Sequence, residues 1–211
     1  MKVIALVNIK GGVGKTTLAV TLAGELSTAG RTVQLIDADP QESATSWAAQ
    51  RESGALPVLP LESQEPADLA SAIRSSRAER VIVDCPGRLA TIAEAALLLA
   101  DLALVPVKPS PVDLWEVDAV LETLELIRAA RGSELPAVAL VPSQGVVGTV
   151  LARDLPEVLA GYGVPVAPAV AARMPFAEAA ARGETIGEYA PGSKAHQEAQ
   201  ALARFAEELT A

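Results

Sequence analysis

The chain has 211 residues, a formal net charge of −9, and a composition that is 50% hydrophobic but only 3% aromatic. That length suits one domain, or one with a small appendage, and a core of Ala, Val, Leu and Ile is ample for a buried parallel sheet. The acidic balance excludes a general polyanion binder acting through bulk charge, so any nucleic-acid surface must be a local basic patch.

The first strand is expected over Val3–Val7. This apolar start is too short for a signal peptide. It runs into Lys10-Gly11-Gly12-Val13-Gly14-Lys15-Thr16-Thr17, and Thr16–Ala29 carries Leu18, Leu22 and Leu26 at helical spacing. Strand, glycine-rich turn and helix together make a credible phosphate-binding loop. Glycines let the backbone N–H groups of residues 11 to 17 converge on phosphate oxygens with no Cβ in the way. The helix start adds its unpaired N–H groups and positive dipole end. Lys15 brings a full charge near the β- and γ-phosphates, and Thr16 offers a hydroxyl to Mg²⁺.

A plain phosphate loop needs no lysine at position 10. With Lys10 five residues before Lys15, the motif resembles the deviant Walker A loop of the ParA/MinD ATPases. That resemblance implies that Lys10 reaches across a dimer to the partner's phosphates and shares with Lys15 in catalysis.

The second strand, Val33–Ile36, ends in Asp37-Ala38-Asp39-Pro40-Gln41. Carboxyl ends of parallel strands face the ligand crevice. The segment resembles the family's first switch, which implies that Asp39 positions the hydrolytic water and joins the Mg²⁺ site while Asp37 supports it. By itself Asp39-Pro40 also reads as an Asx-type turn. A helix is expected over Glu42–Gln50 and a surface connection over Glu52–Pro66, which holds a short strand at Pro57-Val58-Leu59. A helix over Ala67–Ser75 follows.

Val81–Val83 leads to Asp84-Cys85-Pro86-Gly87. An apolar strand ending in Asp is the Walker B arrangement, in which the carboxylate reaches Mg²⁺ through a water. Gly87 can offer its N–H to the γ-phosphate. Cys85 is the chain's one cysteine, which excludes an internal disulfide and a cysteine-based metal site, in agreement with a reducing cytosol; it reads as a small packing residue. A helix is expected over Thr91–Ala100. The apolar stretch Ile92 to Val107 carries Glu94 and Asp101 and so is no membrane span. The strand Leu102–Val107 precedes a proline-stiffened turn in which Ser110 or Asp113 caps a helix over Leu114–Ala130. This segment resembles that of small plasmid partition ATPases, where it lies near the nucleotide and dimer face.

After a strand over Val138–Val141, the base-reading loop is Pro142-Ser143-Gln144-Gly145. The Asn-Lys-x-Asp pattern that accepts from guanine is absent, which favours ATP, with Pro142 and Gln144 as candidate base contacts. A helix over Val150–Ala160, a strand over Val164–Ala167 and a helix over Ala195–Leu209 complete an α/β fold: a P-loop NTPase domain over 1–211 with a mostly parallel twisted sheet covered on both faces. His196 reads as a surface residue rather than a ligand. Arg173, Arg182 and Lys194 fall where the resemblance implies a non-specific DNA surface. As isolated cations they equally suit solvated helix faces paired with Glu178, Glu184 or Glu188.

No segment precedes the first strand, so a fused DNA-binding helix-turn-helix is not expected. The resemblance is to short plasmid partition ATPases working with a separate centromere-binding adaptor. It implies an ATP- and Mg²⁺-dependent homodimer on non-specific DNA, cytoplasmic and nucleoid-associated, reset by slow, partner-stimulated hydrolysis. Two alternatives share the chemistry: positioning of a protein cargo, and a MinD-like membrane switch. The tail Gln197 to Ala211 carries Glu198, Glu207 and Glu208, so stable membrane association is not expected.

Overall fold

A computed structural model describes residues 1–52, 54, 56–87 and 91–211. In chain order the elements are β1 (Lys2–Leu6), α1 (Lys15–Thr28), β2 (Val33–Asp37), α2 (Ser43–Ala49), β3 (Val58–Pro60), α3 (Pro66–Ser75), β4 (Arg80–Asp84) and α4 (Thr91–Leu99). There follow β5 (Leu102–Val107), α5 (Pro111–Leu114), α6 (Val117–Arg131), β6 (Ala137–Pro142), α7 (Val150–Ala160), α8 (Met174–Ala181), α9 (Ile186–Tyr189) and α10 (Lys194–Leu209). The strands form one parallel sheet in the order β3-β2-β4-β1-β5-β6. Neighbouring parallel strands need crossovers, and the helices supply them on both faces.

Alternation along β1 and β4 divides the core. Val3, Ala5, Val81 and Val83 face one layer, with Leu69, Ile73, Ile92, Leu97, Leu124 and Leu155 of the helices. Ile4, Leu6 and Ile82 face the other, with Leu18, Leu22, Trp47, Phe176, Ile186 and Leu202. Burial on both faces explains why the strands read as continuous apolar runs. In the middle of the sheet, the register sets Leu6 of β1 and Asp37 of β2 each beside Asp84 of β4. The carboxyl ends of the central strands therefore share one edge.

The expected strand Val164–Ala167 is reduced to isolated parallel bridges, Leu140 with Val166 and Ser143 with Val170. Pro165 and Pro168 have no N–H to give, so the ladder cannot run on. The expected helix Leu114–Ala130 is divided at Trp115–Glu116 into α5 and α6. Ser110 precedes α5 but makes no side-chain cap bond, and Asp113 turns to a distant partner described below. The short strand near residue 58 is present one residue later than expected, and α8 and α9 are additional helices. Of the connection Glu52–Pro66, residues 53 and 55 lie outside the described residues. Among the described residues no helix is long and apolar enough to cross a membrane.

Candidate nucleotide site

The turn between β1 and α1 is shaped by backbone rules before side chains enter. Gly12 and Gly14 have φ of 73° and 97°, a left-handed region that any side chain would strain. Asn8, buried at the end of β1, holds the turn from below: its Nδ2 donates to the Pro106 carbonyl at 2.6 Å and its Oδ1 accepts from the Lys10 N–H at 2.9 Å. Gly87 approaches from the other side so closely that a Cβ there would stand 2.9 Å from the Gly11 Cα. Gly87, just after β4, is thus packed closely against the phosphate loop, with no room for a side chain between them.

Lys15 is 5% exposed, and its ammonium donates to the Lys10 carbonyl at 3.0 Å. Burial lowers its pKa from the usual lysine value, against the pull of Asp84, Asp39 and Cys85. Asp84 is fully buried, and among the described residues neither of its carboxylate oxygens has a hydrogen-bond partner within bonding geometry. Burial lifts its pKa to about 7, with Asp37 and Asp39 adding to the rise while the Thr16 hydroxyl and the Lys15 ammonium oppose it. A buried carboxylate left this way is costly, and the cost is recovered when a cation or a bonded water takes its place beside it. Carboxylate, hydroxyl and phosphate oxygens are the donor set that Mg²⁺ prefers, so Asp84 and Thr16 fit that ion. Among the described residues no three His, Cys, Asp or Glu side chains converge on a metal site. A cation here would take its remaining ligands from phosphate and water.

Asp37 is tied down differently. Its Oδ2 accepts from both the N–H and the hydroxyl of Thr45 at 2.8 Å, which anchors the start of α2, while its Oδ1 is buried without a partner among the described residues. Asp39 stands at the cavity edge, its Oδ1 accepting from the Gln41 N–H at 3.0 Å, so the Asx-type turn is present. The turn and a role toward ligand are compatible, because the second oxygen carries no bond within the described residues.

Two adjoining cavities open above these groups. One of about 880 Å³ is lined by Gly11, Gly12, Gly14, Lys15, Thr16, Thr17, Asp39, Gly87 and Gln144. The other, about 340 Å³ and mostly apolar, shares Gly14, Thr17, Trp47 and Gln144 with it and adds Leu18, Val170 and Phe176. The larger carries the charged and hydroxyl side chains of Lys15, Asp39 and Thr16 and the smaller is the more apolar, which suits a phosphorylated ligand with a flat apolar end. The loop after β6 is latched to the phosphate loop: the Ser143 hydroxyl donates to the Val13 carbonyl at 2.9 Å, and Gln144 turns with φ of 55°. Val13 is fully buried and takes part through its backbone.

Other expected residues lie elsewhere. Pro142 borders neither cavity and opens onto a third of about 350 Å³ beside α7. Lys10 turns away from the loop, its ammonium 3.2 Å from Asp113 Oδ2. Arg173 makes a two-nitrogen pair with Glu198, Arg182 lies 5.2 Å from the centre of the Tyr189 ring, and Lys194 donates to Gln197 at 3.1 Å. None of these three cations borders the larger cavity, though Arg173 borders the smaller. His196 is half-enclosed, its Nε2 3.3 Å from the buried Glu25, and so is a packing partner of α1 rather than a free surface residue.

Sequence reasoning passed over Asn8, Thr45 and Trp47. Trp47 borders both cavities and donates its Nε1–H to the Glu184 carbonyl at 3.0 Å. Asn8 had a visible signal, a lone amide at the end of an otherwise apolar run.

Comparison with known proteins agrees with this geometry. Residues 4–186 match the family model described as CobQ/CobB/MinD/ParA nucleotide binding domain. The chain is 34% identical over 169 residues to the maintenance of carboxysome distribution protein A of Halothiobacillus neapolitanus, covering 77% of this chain and 76% of that protein. It is 34% identical over 239 aligned positions to the chromosome-partitioning ATPase Soj of Thermus thermophilus, covering 99% and 95%. Among solved structures, the MinD cell division protein of Aquifex aeolicus superposes with a TM-score of 0.80 at 19% identity, covering 99% and 97% of the two chains. Apo McdA of Cyanothece gives 0.79 at 16% identity over 100% of both. These structural likenesses concern the fold. Taken with the matched family model, the phosphate loop and the parallel sheet that carries it make this chain a member of the CobQ/CobB/MinD/ParA nucleotide-binding family.

Proposed function

We propose that the chain is an ATP-driven dimer switch for DNA partition. The observation that carries this reading is Lys10 at the head of a phosphate loop whose floor is the unpartnered Asp84 carboxylate. ATP lies along residues 11 to 17 with its base toward Gln144 and Phe176. Thr16 and Asp84, with Asp39 at the edge, hold Mg²⁺, which neutralises charge on the phosphates. Asp39 orients the attacking water, Lys15 stabilises the charge that develops at the transferred phosphoryl group, and Lys10 adds a second ammonium from the facing chain. Hydrolysis frees the loops after Asp39 and Asp84, and the dimer opens. Gly87, in contact with Gly11, is the point at which the second of those loops senses the γ-phosphate.

Arg173, Arg182 and Lys194 are the DNA contacts in this reading, and a separate centromere-binding adaptor stimulates turnover. Support for partition comes from the likeness to Soj, and for the nucleotide from a solved McdA relative named as an ATP complex. The likeness to a carboxysome distribution protein favours a second reading in which the same switch positions a protein cargo. A membrane role is less well supported, because Ala195, Ala199, Leu202 and Ala206 of α10 are already buried in the fold.

The deciding experiment is retention on non-specific DNA with ATP, with ADP and without nucleotide, for the wild type and Lys15→Ala. The wild type is expected to bind only with ATP and to release steeply as salt rises. Lys15→Ala is expected to lose binding together with hydrolysis, the latter by about a hundredfold or more. Equal retention in every state would reject the switch.

A further inference from the structure

Asp113 is 5% exposed at its side chain, and among the described residues Lys10 is its sole side-chain partner, at 3.2 Å from Oδ2, while its other oxygen, Oδ1, is buried with none of them bonded to it. The lysine is only 34% exposed in this arrangement. Its backbone is fixed independently by Asn8 and by Lys15, so the ion pair concerns the side chain alone. Asp113 lies 103 residues away on α5, and α5 is separated from α6 by the break at Trp115–Glu116. This contact is therefore tertiary, and sequence spacing gives no warning of it.

We infer that Asp113 is a positioning residue that stores Lys10 within its own chain until a partner's phosphates compete for it. This inference rests on the cross-dimer role proposed above. The physics is an exchange. When Lys10 leaves, Asp113 remains as a buried carboxylate with neither oxygen bonded, and that penalty opposes release. Triphosphate carries enough negative charge to outbid one carboxylate, whereas loss of the γ-phosphate shifts the balance back. The latch thus raises the threshold for dimer closure in the resting chain and recaptures the lysine after hydrolysis. A salt bridge that is partly exposed is also screened, so the latch weakens as ionic strength rises.

The test uses the full chain and Asp113→Asn, a change of similar shape that removes the charge. In the nucleotide-free state, the acetylation rate of Lys10 by an amine-directed acetyl ester is read by peptide mass spectrometry. It is expected to rise about fivefold in the variant. Sedimentation with Mg–ATP is expected to show dimer forming at lower nucleotide concentration than in the wild type. An unchanged acetylation rate, or dimerisation that is unchanged or weaker in the variant, overturns the latch. Should the variant not fold, the wild type carries the test through salt: Lys10 must acetylate faster at high ionic strength relative to Lys2 in the same sample, and a constant ratio overturns it. A wild-type chain that stays monomeric with Mg–ATP rejects the proposed function, while the acetylation arm still reads the cis pair alone.

Discussion

The two charged regions of this molecule are in opposite states. At the carboxyl edge of the sheet, Asp84 has two buried oxygens, and Asp37 one, without partners among the described residues. In the last third, Arg173 is held by Glu198, Arg182 by the Tyr189 ring and Lys194 by Gln197. Buried polar atoms without partners are rare in native proteins because each one costs stability, so their concentration under a glycine-rich turn fits a site that bonds a ligand or cation. The satisfied cations carry no such mark. The contrast teaches that a site prepared for a ligand is recognisable by what it leaves unbonded, and that a surface for a loosely held polyanion is not.

The largest expected effect lies on the unsatisfied side. Asp84→Asn removes the carboxylate that fits the cation and is expected to lower Mg²⁺-dependent hydrolysis by about a hundredfold or more, measured as phosphate release. The same change removes a buried carboxylate whose burial outweighs the help it receives from Lys15 and Thr16, so the nucleotide-free variant is expected to melt no lower than the wild type at pH 8. Loss of hydrolysis together with a large fall in melting temperature would mean that Asp84 holds the fold rather than the ligand.

On the satisfied side, the expected effect is smaller and has two directions. Arg173→Ala with Arg182→Ala is expected to weaken ATP-dependent DNA retention about tenfold near 0.1 M salt, and to lower the salt slope by about one for each arginine that reaches a phosphate. Glu198→Gln is expected to do the reverse, since it frees Arg173 from a carboxylate that also accepts from the Ala171 N–H at 3.1 Å. Retention that ignores both changes would locate the DNA face elsewhere and leave Arg173 as a clamp between α10 and the segment before α8.

How much of this was legible beforehand follows the same division. The six parallel strands and the phosphate loop were readable because both depend on local rules: apolar runs bounded by turns, and glycines where the backbone must turn left-handed. Asp84 was readable because a strand ending in Asp keeps its position whatever surrounds it. The Val164–Ala167 strand was misjudged because a ladder needs N–H groups that Pro165 and Pro168 lack. The Lys10–Asp113 and Trp47–Glu184 contacts were invisible because they join residues 103 and 137 positions apart. Spacing along the chain reports neighbours on one element and says nothing about such meetings.

The smallest expected effect tests whether the last third is held as firmly as its pairings suggest. Arg51, just past α2, donates to the Gly183 carbonyl at 2.9 Å and pairs with Glu188. Glu188 also closes a capping box with Thr185 at the start of α9. The Arg51 guanidinium, helped by the Thr185 N–H and hydroxyl and resisted by partial burial, holds the Glu188 carboxyl down at about 2. A depressed carboxyl pKa stabilises the fold above the unfolded value, near 4.3, and that contribution is lost as pH falls toward the folded one. The side chain is 44% exposed, so solvent screening keeps the effect to about 1 kcal/mol. Glu188→Gln is therefore expected to lower the melting temperature by about 2–4 °C at pH 7. The gap should narrow as pH falls from about 5 toward 2, because the unfolded chain takes up the Glu188 proton before the folded one does, an outcome that paired thermal melts across that window would read directly. A gap that stays constant with pH would mean that the capping bonds, which glutamine partly keeps, matter more here than the charge on Arg51.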